Sequence, residues 1–424
     1  MKVIVAGAGF AGLQLVQKLS NKKGIEVWLI DKINYHQFQP LLYQVATAGL
    51  DASNISFPLR RAFQHSKNVH IRLAALQQII TEKKKIITDA GEFDYDVLVM
   101  ATGAGTNFFG NNNIEKYSFP MKSTVEALRL RHRLIENFEM ALIKKDTPEF
   151  EKYMNIVVVG AGPTGVEVSG ALADMRNHIL PKDYSEIDFT KMKIYLVEAG
   201  SKTLASMSEK SSNRSASYLD KLGVIIKTNI SVNDYDGTEV KLSNGEIIPA
   251  AIVIWAAGIK GNIAAGIDKT LIAKGNRIKV DRYCHVQGIT DVYALGDVAY
   301  METPLYPNGH PQLANIALGQ ANVLAQNLIR QTNNNNHNQK MYEYSDKGTM
   351  ATVGRNLAVV DIPKLGLHYG GILAWLTWMG LHLLLILGVK NKLQVFINWI
   401  YKYFTYDQSL RLFFKDTYRE QKDL

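Results

Sequence analysis

The sequence predicts an α/β fold with two similar domains built around parallel sheets, followed by a helical C-terminal segment. A glycine-rich stretch occurs twice, as VIVAGAGFAGLQLVQKL at residues 3–19 and as VVVGAGPTGVEVSGAL at residues 157–172. Each stretch lies between a short apolar strand and a helix, and a further apolar strand follows, which favours parallel pairing through a helical crossover. The composition changes near the end of the chain, where residues 371–389 carry no formal charge.

The composition indicates a globular protein of two or three domains. The chain has 424 residues, of which 47% are hydrophobic and 21% are charged, a balance that argues against long disordered regions. The sequence contains one cysteine, Cys284, which excludes a disulfide, a cysteine-based metal site and a paired-cysteine redox centre within one chain. The alternation in VDRYCHV predicts that Cys284 is a small buried residue in a strand. We predict no metal site.

The N-terminus and the net charge restrict location and partners. The first strand begins almost at once, with MKVIVAG, so no cleaved signal is visible and we expect a cytosolic or cytosol-facing protein. The net charge is +9, which suits either nucleic acid or an anionic membrane surface. No basic helix or arginine-rich run precedes the C-terminal region, so we expect anionic lipid and no nucleic acid.

The first unit is a regular strand–helix–strand arrangement. Strands are predicted at residues 2–6 and 25–30 around a helix at about 10–20, and short strands with turns follow at 69–100. The second unit begins at residue 155 and has its second strand at 191–200.

A small antiparallel meander is expected beside the second parallel sheet. Turn signals at Asp236-Gly237 and Asn244-Gly245 follow an apolar strand at 224–230. The other predicted elements are apolar stretches at 251–260 and 291–299, a helix at about 311–330 and a polar loop at 333–338.

The two glycine-rich turns have the spacing of phosphate cradles. In a G-x-G-x-x-G turn the first glycine permits a tight bend, the second lets the backbone approach a pyrophosphate, and the third lets helix pack on strand. The free N–H groups at the helix N-terminus then attract the anion. The glycines in this spacing are Gly7, Gly9 and Gly12 in the first turn and Gly160, Gly162 and Gly165 in the second.

An acidic residue ends the strand that follows each cradle. Asp31 ends VWLID and Glu198 ends IYLVE. A carboxylate at this position accepts hydrogen bonds from a ribose 2′-OH and repels a 2′-phosphate, so Glu198 favours NAD(H) over NADP(H). Two cradles in one chain suit an enzyme that moves a hydride from nicotinamide to flavin. We therefore predict non-covalent FAD on the first cradle and NADH on the second, in two Rossmann-like domains.

Four further stretches carry a resemblance to a known family. They are NYHQFQPLLYQVATAGLD (34–51), VIWAAGIK (253–260), GTMATVGRNLAVVDI (348–362) and the tail at 371–407. With the two cradles, they make the chain similar to the two-dinucleotide-binding-domain flavoproteins and, among these, to type II NADH dehydrogenases, the non-pumping NADH:quinone oxidoreductases. The likeness covers nearly the whole chain, and the stretch at 34–51 and the tail are its most specific parts.

The resemblance implies a discontinuous domain organisation. We expect an FAD domain at 1–115 and 285–340, an NADH domain at 116–284 inserted in it, and a C-terminal region for membrane anchoring and quinone access at 341–424.

The resemblance also implies roles for individual residues. Those implied at FAD are Gly7, Gly9, Phe10, Ala11 and Gly12 for the pyrophosphate, Asp31 and Lys32 for the ribose, Gln39, Pro40, Thr102 and Gly103 near the flavin, and Gly296 and Asp297 at the ribityl chain. Those implied at NADH are Gly160, Gly162, Pro163, Thr164, Gly165, Glu167 and Glu198. Gly258, Ala314 and Asn315 complete the expected cofactor contacts, and the expected catalytic residues are Glu167, Gln39 and Asn315. An exposed helical carboxylate is the alternative interpretation of Glu167.

The chain departs from the family beside the flavin and quinone. The family commonly has A-Q-x-A-x-Q, whereas residues 314–319 read ANIALG, with Asn315 at the first glutamine and Gly319 at the second. Asparagine offers the same amide on a shorter arm, so a quinone contact at Asn315 is open. Gln320 comes one position after Gly319, and a helix turns by about 100° per residue, so its side chain points in a different direction from that of the family's second glutamine.

The resemblance implies that the chain oxidises NADH by hydride transfer to FAD and passes two electrons to a membrane quinone without pumping protons. Two alternatives remain open. One is a related flavin reductase with another acceptor, and the other is an NADH-binding redox sensor or scaffold with slow turnover.

The tail is expected to attach the protein to a membrane. The nineteen residues at 371–389 are long enough to cross a bilayer at about 1.5 Å each. However, Thr377, Gly380 and His382 weaken the run, and the amphipathic segment at 393–404 is typical of interfacial helices. The resemblance implies peripheral, monotopic attachment on the cytoplasmic face of the inner membrane, and a homodimer. A true span and a buried core helix are the alternatives.

Overall fold

The computed structural model describes residues 1–333, 339–407 and 410–413. These residues form two compact units, each assembled from separate segments of the chain. Unit 1 comprises Met1–Gln37, Ser56–Gly105 and Ile259–Asp346, and unit 2 comprises Phe38–Ile55, Thr106–Gly258 and the chain from Lys347 onward. The predicted division at 115, 284 and 340 is a different partition and stays a prediction. Most of the polar loop predicted at 333–338, and the last residues of the predicted C-terminal region, lie outside the described residues.

The strands are mostly three to six residues long. In chain order they are β1 (Lys2–Ala6), β2 (Glu26–Asp31), β3 (Tyr35–Gln37), β4 (Ser56–Pro58), β5 (Val69–Leu73), β6 (Leu76–Ile80), β7 (Lys85–Thr88), β8 (Gly91–Asp94), β9 (Val97–Met100), β10 (Ala104–Thr106), β11 (Phe119–Pro120), β12 (Asn155–Val159), β13 (Lys193–Glu198), β14 (Val224–Thr228), β15 (Val232–Tyr235), β16 (Glu239–Leu242), β17 (Ile247–Pro249), β18 (Ile252–Trp255), β19 (Ile259–Gly261), β20 (Ile272–Ala273), β21 (Arg277–Val280), β22 (Val292–Ala294), β23 (Ala299–Met301), β24 (Thr349–Gly354), β25 (Leu357–Ile362) and β26 (Leu367–Gly370).

The helices vary from one turn to more than five turns. They are α1 (Phe10–Leu19), α2 (Leu42–Ala46), α3 (Leu59–Ala62), α4 (Asn112–Tyr117), α5 (Thr124–Ile143), α6 (Phe150–Met154), α7 (Pro163–His178), α8 (Leu180–Asp183), α9 (Glu209–Lys221), α10 (Ala314–Thr332), α11 (Ile372–Leu385) and α12 (Val389–Thr405).

The core of unit 1 is a five-stranded parallel sheet in the order β22-β9-β1-β2-β5. Its central strand β1 is apolar at successive positions, and Val3, Ile4 and Val5 are fully buried. Continuous apolar runs of this kind belong to parallel strands that are covered on both faces. The parallel sheet and the strand–helix–strand unit predicted from residues 2–30 are confirmed.

Unit 2 contains a second five-stranded parallel sheet, in the order β11-β18-β12-β13-β14. Strands β15, β16 and β17 form the predicted antiparallel meander, and the predicted turns lie between them. Gly237 and Gly245 have φ of +97° and +87°, which explains why glycine is favoured in both turns. A separate antiparallel sheet, β24-β25-β26, precedes the C-terminal helices.

The two C-terminal helices each bury one narrow stripe. Ala374, Trp378 and His382 are the buried residues of α11, and Asn391, Val395 and Trp399 are those of α12. Both sets recur every four residues, as one helical face requires. Large apolar side chains elsewhere on both helices are exposed, namely Ile372, Leu373, Leu376, Leu381, Leu384, Leu385, Val389, Leu393, Phe396, Ile397, Ile400, Tyr401 and Phe404. Within the part of the chain that the structure describes, no helix combines the length and apolar character needed to cross a bilayer.

The strand predicted around Cys284 is wrong, although its burial is confirmed. Cys284 is fully buried but has φ of +68° and follows a turn in which the Asp281 side chain accepts hydrogen bonds from the backbone N–H groups of Tyr283 and His285. The alternating apolar pattern therefore reflects a buried turn after β21. Carboxylate capping of the turn competes with strand formation here.

Candidate active site

The first cradle lies in unit 1, between β1 and α1. Gly7 has φ of +105°, and a Cβ there would lie 2.3 Å from the Ala101 carbonyl oxygen. A Cβ on Gly12 would lie 1.8 Å from the Gly7 carbonyl oxygen, whereas Gly9 faces open space with no atom within 4 Å. No side chain caps the N-terminus of α1, which begins at Phe10 and continues through Ala11. The turn therefore leaves room beside the uncapped N-terminus of α1, where a pyrophosphate would bind, and these residues fit FAD.

Two side chains hold the first cradle in place. The Asp31 carboxylate accepts hydrogen bonds from the Ala8 N–H at 2.6 Å and the Ile33 N–H at 3.0 Å. Burial raises the pKa of Asp31, and these two hydrogen bonds partly offset the rise. His36 Nδ1 lies 2.9 Å from the Ala8 carbonyl oxygen, and burial lowers the pKa of this imidazole, which favours the neutral form that donates to Ala8. Asp31 thus positions the loop itself, while its contact with a ribose stays a prediction.

The other FAD residues predicted in unit 1 lie at the ends of neighbouring strands. Thr102 Oγ1 donates to the Asn262 carbonyl oxygen at 2.5 Å, and the Asn262 N–H donates to the Gly103 carbonyl at 3.0 Å. The sequence reasoning missed Asn262. A Cβ on Gly296 would lie 3.4 Å from Ala11 Cβ, so the Gly296-Asp297 turn lies against the start of α1. Ala314 and Lys32 are exposed, at the start of α10 and just after β2 respectively.

The structure explains the departure at residues 315–320. Asn315 Nδ2 lies 3.4 Å from the Tyr344 hydroxyl, and its Oδ1 is buried without a hydrogen-bond partner among the described residues. A Cβ on Gly319 would lie 2.7 Å from the Tyr342 ring, which therefore fills the space of a longer side chain. Gln320 is buried and accepts a hydrogen bond from the Gly296 N–H at 2.8 Å. Its amide oxygen thus holds the Gly296 turn, which fits its rotation away from Asn315.

The second cradle lies in unit 2 and repeats this geometry between β12 and α7. Cβ atoms on Gly160 and Gly165 would lie 2.8 Å and 1.8 Å from backbone oxygens, and Gly162 faces open space. Glu198 accepts hydrogen bonds from the Ala161 N–H at 2.6 Å and the Gly200 N–H at 2.7 Å. Pro163 and Thr164 are exposed in the first turn of α7. This loop likewise has the space and donors for a pyrophosphate.

Three further predicted residues also lie in unit 2. Gly258 has φ of +96°, and a Cβ there would lie 2.9 Å from the Phe109 ring. Gln39 and Pro40 lie just before α2, and Gln39 Nε2 donates to the Lys122 carbonyl oxygen at 3.3 Å. The remaining predicted FAD residues belong to unit 1. The roles of Gln39, Pro40 and Gly258 at a cofactor stay predictions.

Glu167 is buried on α7, with 8% of its surface exposed, so its interpretation as an exposed carboxylate is wrong. Burial raises its pKa to about 8, although the backbone N–H of Thr352 and the indole of Trp378 act in the opposite direction. The carboxyl group is therefore mostly protonated at neutral pH and is able to donate a proton. Tyr43 faces the same region, and burial raises the pKa of its phenol well above the ordinary value.

Glu167 lines a cavity with an aromatic wall, which contains about 770 Å³ of empty space including its open mouth. One wall of the cavity is formed where α7 packs closely on β24. A Cβ on Gly170 would lie 1.5 Å from the Val353 carbonyl oxygen, so only glycine admits the strand here. The aromatic lining residues are Tyr43, Trp375, Trp378, Trp399, Tyr403 and Tyr406. The ionisable ones besides tyrosine are Glu167, Asp174, Arg355 and Lys402.

Several side chains of the cavity were missed by the sequence reasoning. Arg355 lies over the rings of Tyr403 and Tyr406 at 4.2 Å and 4.0 Å, and its Nε and Nη1 are buried without partners among the described residues. The Trp378 indole contacts the Glu167 carboxyl group and lowers its pKa. His382 stacks on Trp378 at 4.0 Å, and burial lowers the pKa of this imidazole to about 4. The four-residue spacing of Trp378 and His382 was the available signal for their shared face.

Comparison with known proteins agrees with this geometry. Residues 1–321 match the family model described as pyridine nucleotide-disulphide oxidoreductase, and residues 347–406 match the model described as NDH2 C-terminal domain. The type II NADH:quinone oxidoreductase Ndh of Mycobacterium tuberculosis is 34% identical over 94% of this chain and 87% of its own length. The type II NADH:quinone oxidoreductase of Staphylococcus saprophyticus is 31% identical over 83% of this chain and 87% of its own length.

A solved structure shares the fold over almost the full length. NDH2 from Plasmodium falciparum, in complex with NADH, superposes with a TM-score of 0.87 at 23% identity and covers 98% of this chain and 99% of its own. The two matched models account for both the cradle-bearing part and the region with the aromatic cavity wall. The chain therefore belongs to the pyridine nucleotide-disulphide oxidoreductase family and, within it, to the type II NADH dehydrogenases.

Proposed function

We propose that this chain is a type II NADH:quinone oxidoreductase, which oxidises NADH and reduces a quinone through bound FAD, without pumping protons. The observation that carries the proposal is the position of α7. Its N-terminus opens the second cradle, and the buried acid Glu167 on its next turn lines the aromatic cavity. One helix thus connects a site suited to a pyridine nucleotide with a site suited to a flat ring that takes up protons.

The backbone of the first cradle would hold FAD, and the second would hold NADH. The residues that would position FAD are Gly7, Gly9, Phe10, Ala11, Gly12, Asp31, Lys32, Gln39, Pro40, Thr102, Gly103, Gly296, Asp297, Ala314 and Asn315. Gly258 would contact one of the two cofactors. Bound FAD would supply a two-electron carrier that accepts a hydride from nicotinamide and is reoxidised by a quinone. The chain's own contribution is to align the partners and exclude water around them. Glu198 would select NADH because its charge repels a 2′-phosphate.

The cavity in unit 2 supplies what reduction of a quinone requires. Aromatic side chains offer faces for a ring, and two N–H groups of Arg355 offer hydrogen bonds to carbonyl oxygens. Glu167 is protonated near neutral pH, so it would give one of the two protons that a quinol needs.

Disulphide chemistry, which the family name includes, is excluded within one chain. Cys284 is the single cysteine of the sequence, it is fully buried, and burial raises the pKa of its thiol. A thiol in that state is a poor nucleophile.

Anaerobic mixing of the FAD-loaded protein with NADH tests the proposal. We expect the flavin absorbance to bleach and then to return when a soluble quinone is added. A reduced flavin that persists in the presence of quinone would instead support the sensor alternative. Recovery only with a different acceptor would support a related reductase.

We also propose that α11 and α12 attach the protein to a lipid surface. Their outward side chains are apolar, including Leu384 and Phe404 at 73% and 77% exposure, and Lys390 is exposed beside them. A helix pair with this distribution suits the interface of an anionic bilayer. The full chain should co-sediment with vesicles that contain anionic lipid, and the double variant Leu384→Glu/Phe404→Glu should stay in solution.

The homodimer and the cytoplasmic face of the inner membrane are proposals that follow from the family resemblance. Light scattering of the detergent-solubilised protein would measure its mass, and a monomer would contradict the dimer. NADH oxidation by inverted membrane vesicles but not by intact spheroplasts would support the cytoplasmic face. If the double variant becomes monomeric yet still binds vesicles, the apolar face is a protein interface instead.

A further inference from the structure

Asp174 and Lys402 line the same cavity as Glu167. Glu167, Ala171 and Asp174 have the spacing i, i+4 and i+7 on α7, so they share one face, and all three line the cavity. Asp174 lies about 10 Å further along the helix axis, at about 1.5 Å per residue. Alanine at position 171 leaves space between the two acids. Lys402 on α12 lines the same cavity.

The charges around Asp174 and Lys402 come from three elements. His178 on α7, Arg355 in the turn between β24 and β25, and Lys402 on α12 all act on the Asp174 carboxylate. The residues that α2 and α11 contribute to the cavity carry no formal charge. Burial raises the pKa of Asp174 and lowers the pKa of Lys402, so the two pKa values are closer together than in water. A proton therefore moves between such groups more readily than between the same groups in water.

Reduction of a quinone creates a need for proton return at Glu167. A quinone takes up two electrons and two protons to become a quinol. When the O–H bond of Glu167 breaks and an O–H bond forms on the quinol oxygen, Glu167 is left as a buried carboxylate. It must regain a proton before the next turnover. His382 is an unsuitable source because its pKa of about 4 leaves it neutral, and the raised pKa of Tyr43 makes its phenol a weak acid.

The far side of the cavity reaches solvent. Tyr406 lines the cavity and lies 4.7 Å from the ring of His178, and both residues are exposed. We propose that Asp174 and Lys402 return a proton to Glu167 after each turnover. The proton enters from solvent near His178 and Tyr406 and reaches Glu167 through water in the cavity. Asp174 and Lys402 position this water. This inference rests on the proposed quinone reduction.

Counting turnovers tests the proposal. FAD-loaded protein reduced with NADH at neutral pH starts with Glu167 protonated, so the first reoxidation by a soluble quinone should not need proton return. In Asp174→Asn we expect a first reoxidation at the wild-type rate and later turnovers slowed about tenfold or more. Small weak acids such as formate or imidazole, added to the buffer, should restore the later turnovers. The solvent deuterium isotope effect on the later turnovers should increase.

Two further variants keep the test decisive. Asp174→Asn removes a carboxylate that acts on Lys402, so the double variant Asp174→Asn/Lys402→Gln, which removes both charges, should show the same separation between first and later turnovers. Asp220→Asn, on the exposed face of α9, is the matched control and should change neither the rate of the first reoxidation nor the rate of later turnovers. Equal slowing of first and later turnovers, without rescue by weak acids, would mean a structural role and overturn the proposal. So would wild-type behaviour of both Asp174 variants. Failure of wild-type protein to be reoxidised by quinone would instead refute the proposed function.

Discussion

Replacement of Glu167 by glutamine should make the protein's stability less sensitive to alkaline pH. The pKa of Glu167 rises from its ordinary value of 4.5 to about 8 in the folded protein, because the carboxyl group is buried. Between these two values the folded protein keeps a proton that the unfolded chain releases. The free energy of unfolding therefore falls as pH rises, by about 1.4 kcal/mol per pH unit.

The size of the effect follows from the two pKa values. From about pH 6 to about pH 8, and allowing for partial ionisation near the folded pKa, Glu167 should lower the free energy of unfolding by about 2 kcal/mol. Glutamine has nearly the same shape and does not ionise. Relative to the wild type, Glu167→Gln should therefore gain about 2 kcal/mol over this interval.

Urea denaturation of the FAD-loaded wild type and variant at both pH values would measure this difference. Glu186→Gln, which alters an exposed carboxylate in the same unit, is the control and should show a constant difference from the wild type. If the difference between Glu167→Gln and the wild type is also constant between pH 6 and pH 8, then Glu167 does not hold its proton near neutrality. The role assigned to it as a proton donor would then fail.

Other predictions concern the backbone and the two binding regions. Gly170→Ala should destabilise the protein by about 3 kcal/mol or more, because its Cβ would meet the Val353 carbonyl oxygen at 1.5 Å. Thermal denaturation would measure this loss of stability, with Gly380→Ala, whose Cβ would enter open space, as the control. Glu198→Gln should reduce the preference for NADH over NADPH about tenfold in kcat/KM, and an unchanged preference would show that the acid only holds its loop. Asn315→Ala should raise the KM for quinone about tenfold while the rate of flavin bleaching by NADH stays constant, if the amide contacts the quinone. Wild-type KM values would assign Asn315 to structure alone.

Local patterns were sufficient for the architecture of both cradles. The spacing of Gly7, Gly9 and Gly12 predicts a tight turn followed by a helix, and the contact of Gly12 with the Gly7 carbonyl is local, whereas Ala101, which also requires glycine at position 7, is distant in the chain. The acids Asp31 and Glu198 end their strands as predicted, and each contacts the adjacent loop. The departure at Gly319 was also visible in the sequence, but its cause was not, because Tyr342 approaches from another segment of the chain.

Long-range packing determined the surroundings of the ionisable residues. The pattern around Cys284 indicated burial correctly but the wrong backbone, because alternation does not distinguish a strand from a turn capped by Asp281. Likewise, the sequence around Glu167 is that of any helix after a glycine-rich turn. The groups that act on its pKa against burial belong to Thr352 and Trp378, which come from much later in the chain.

The sequence by itself therefore determined the strand–helix–strand units, the two phosphate-binding turns and the stretches that carry the family resemblance, since each of these consists of residues close together along the chain. The tertiary structure alone decided that Glu167 is protonated and that Asp174, Arg355 and Lys402 line its cavity. The physical reason is that the pKa of a carboxyl group depends on the solvent that surrounding segments remove, and local sequence carries no record of which segments will cover it.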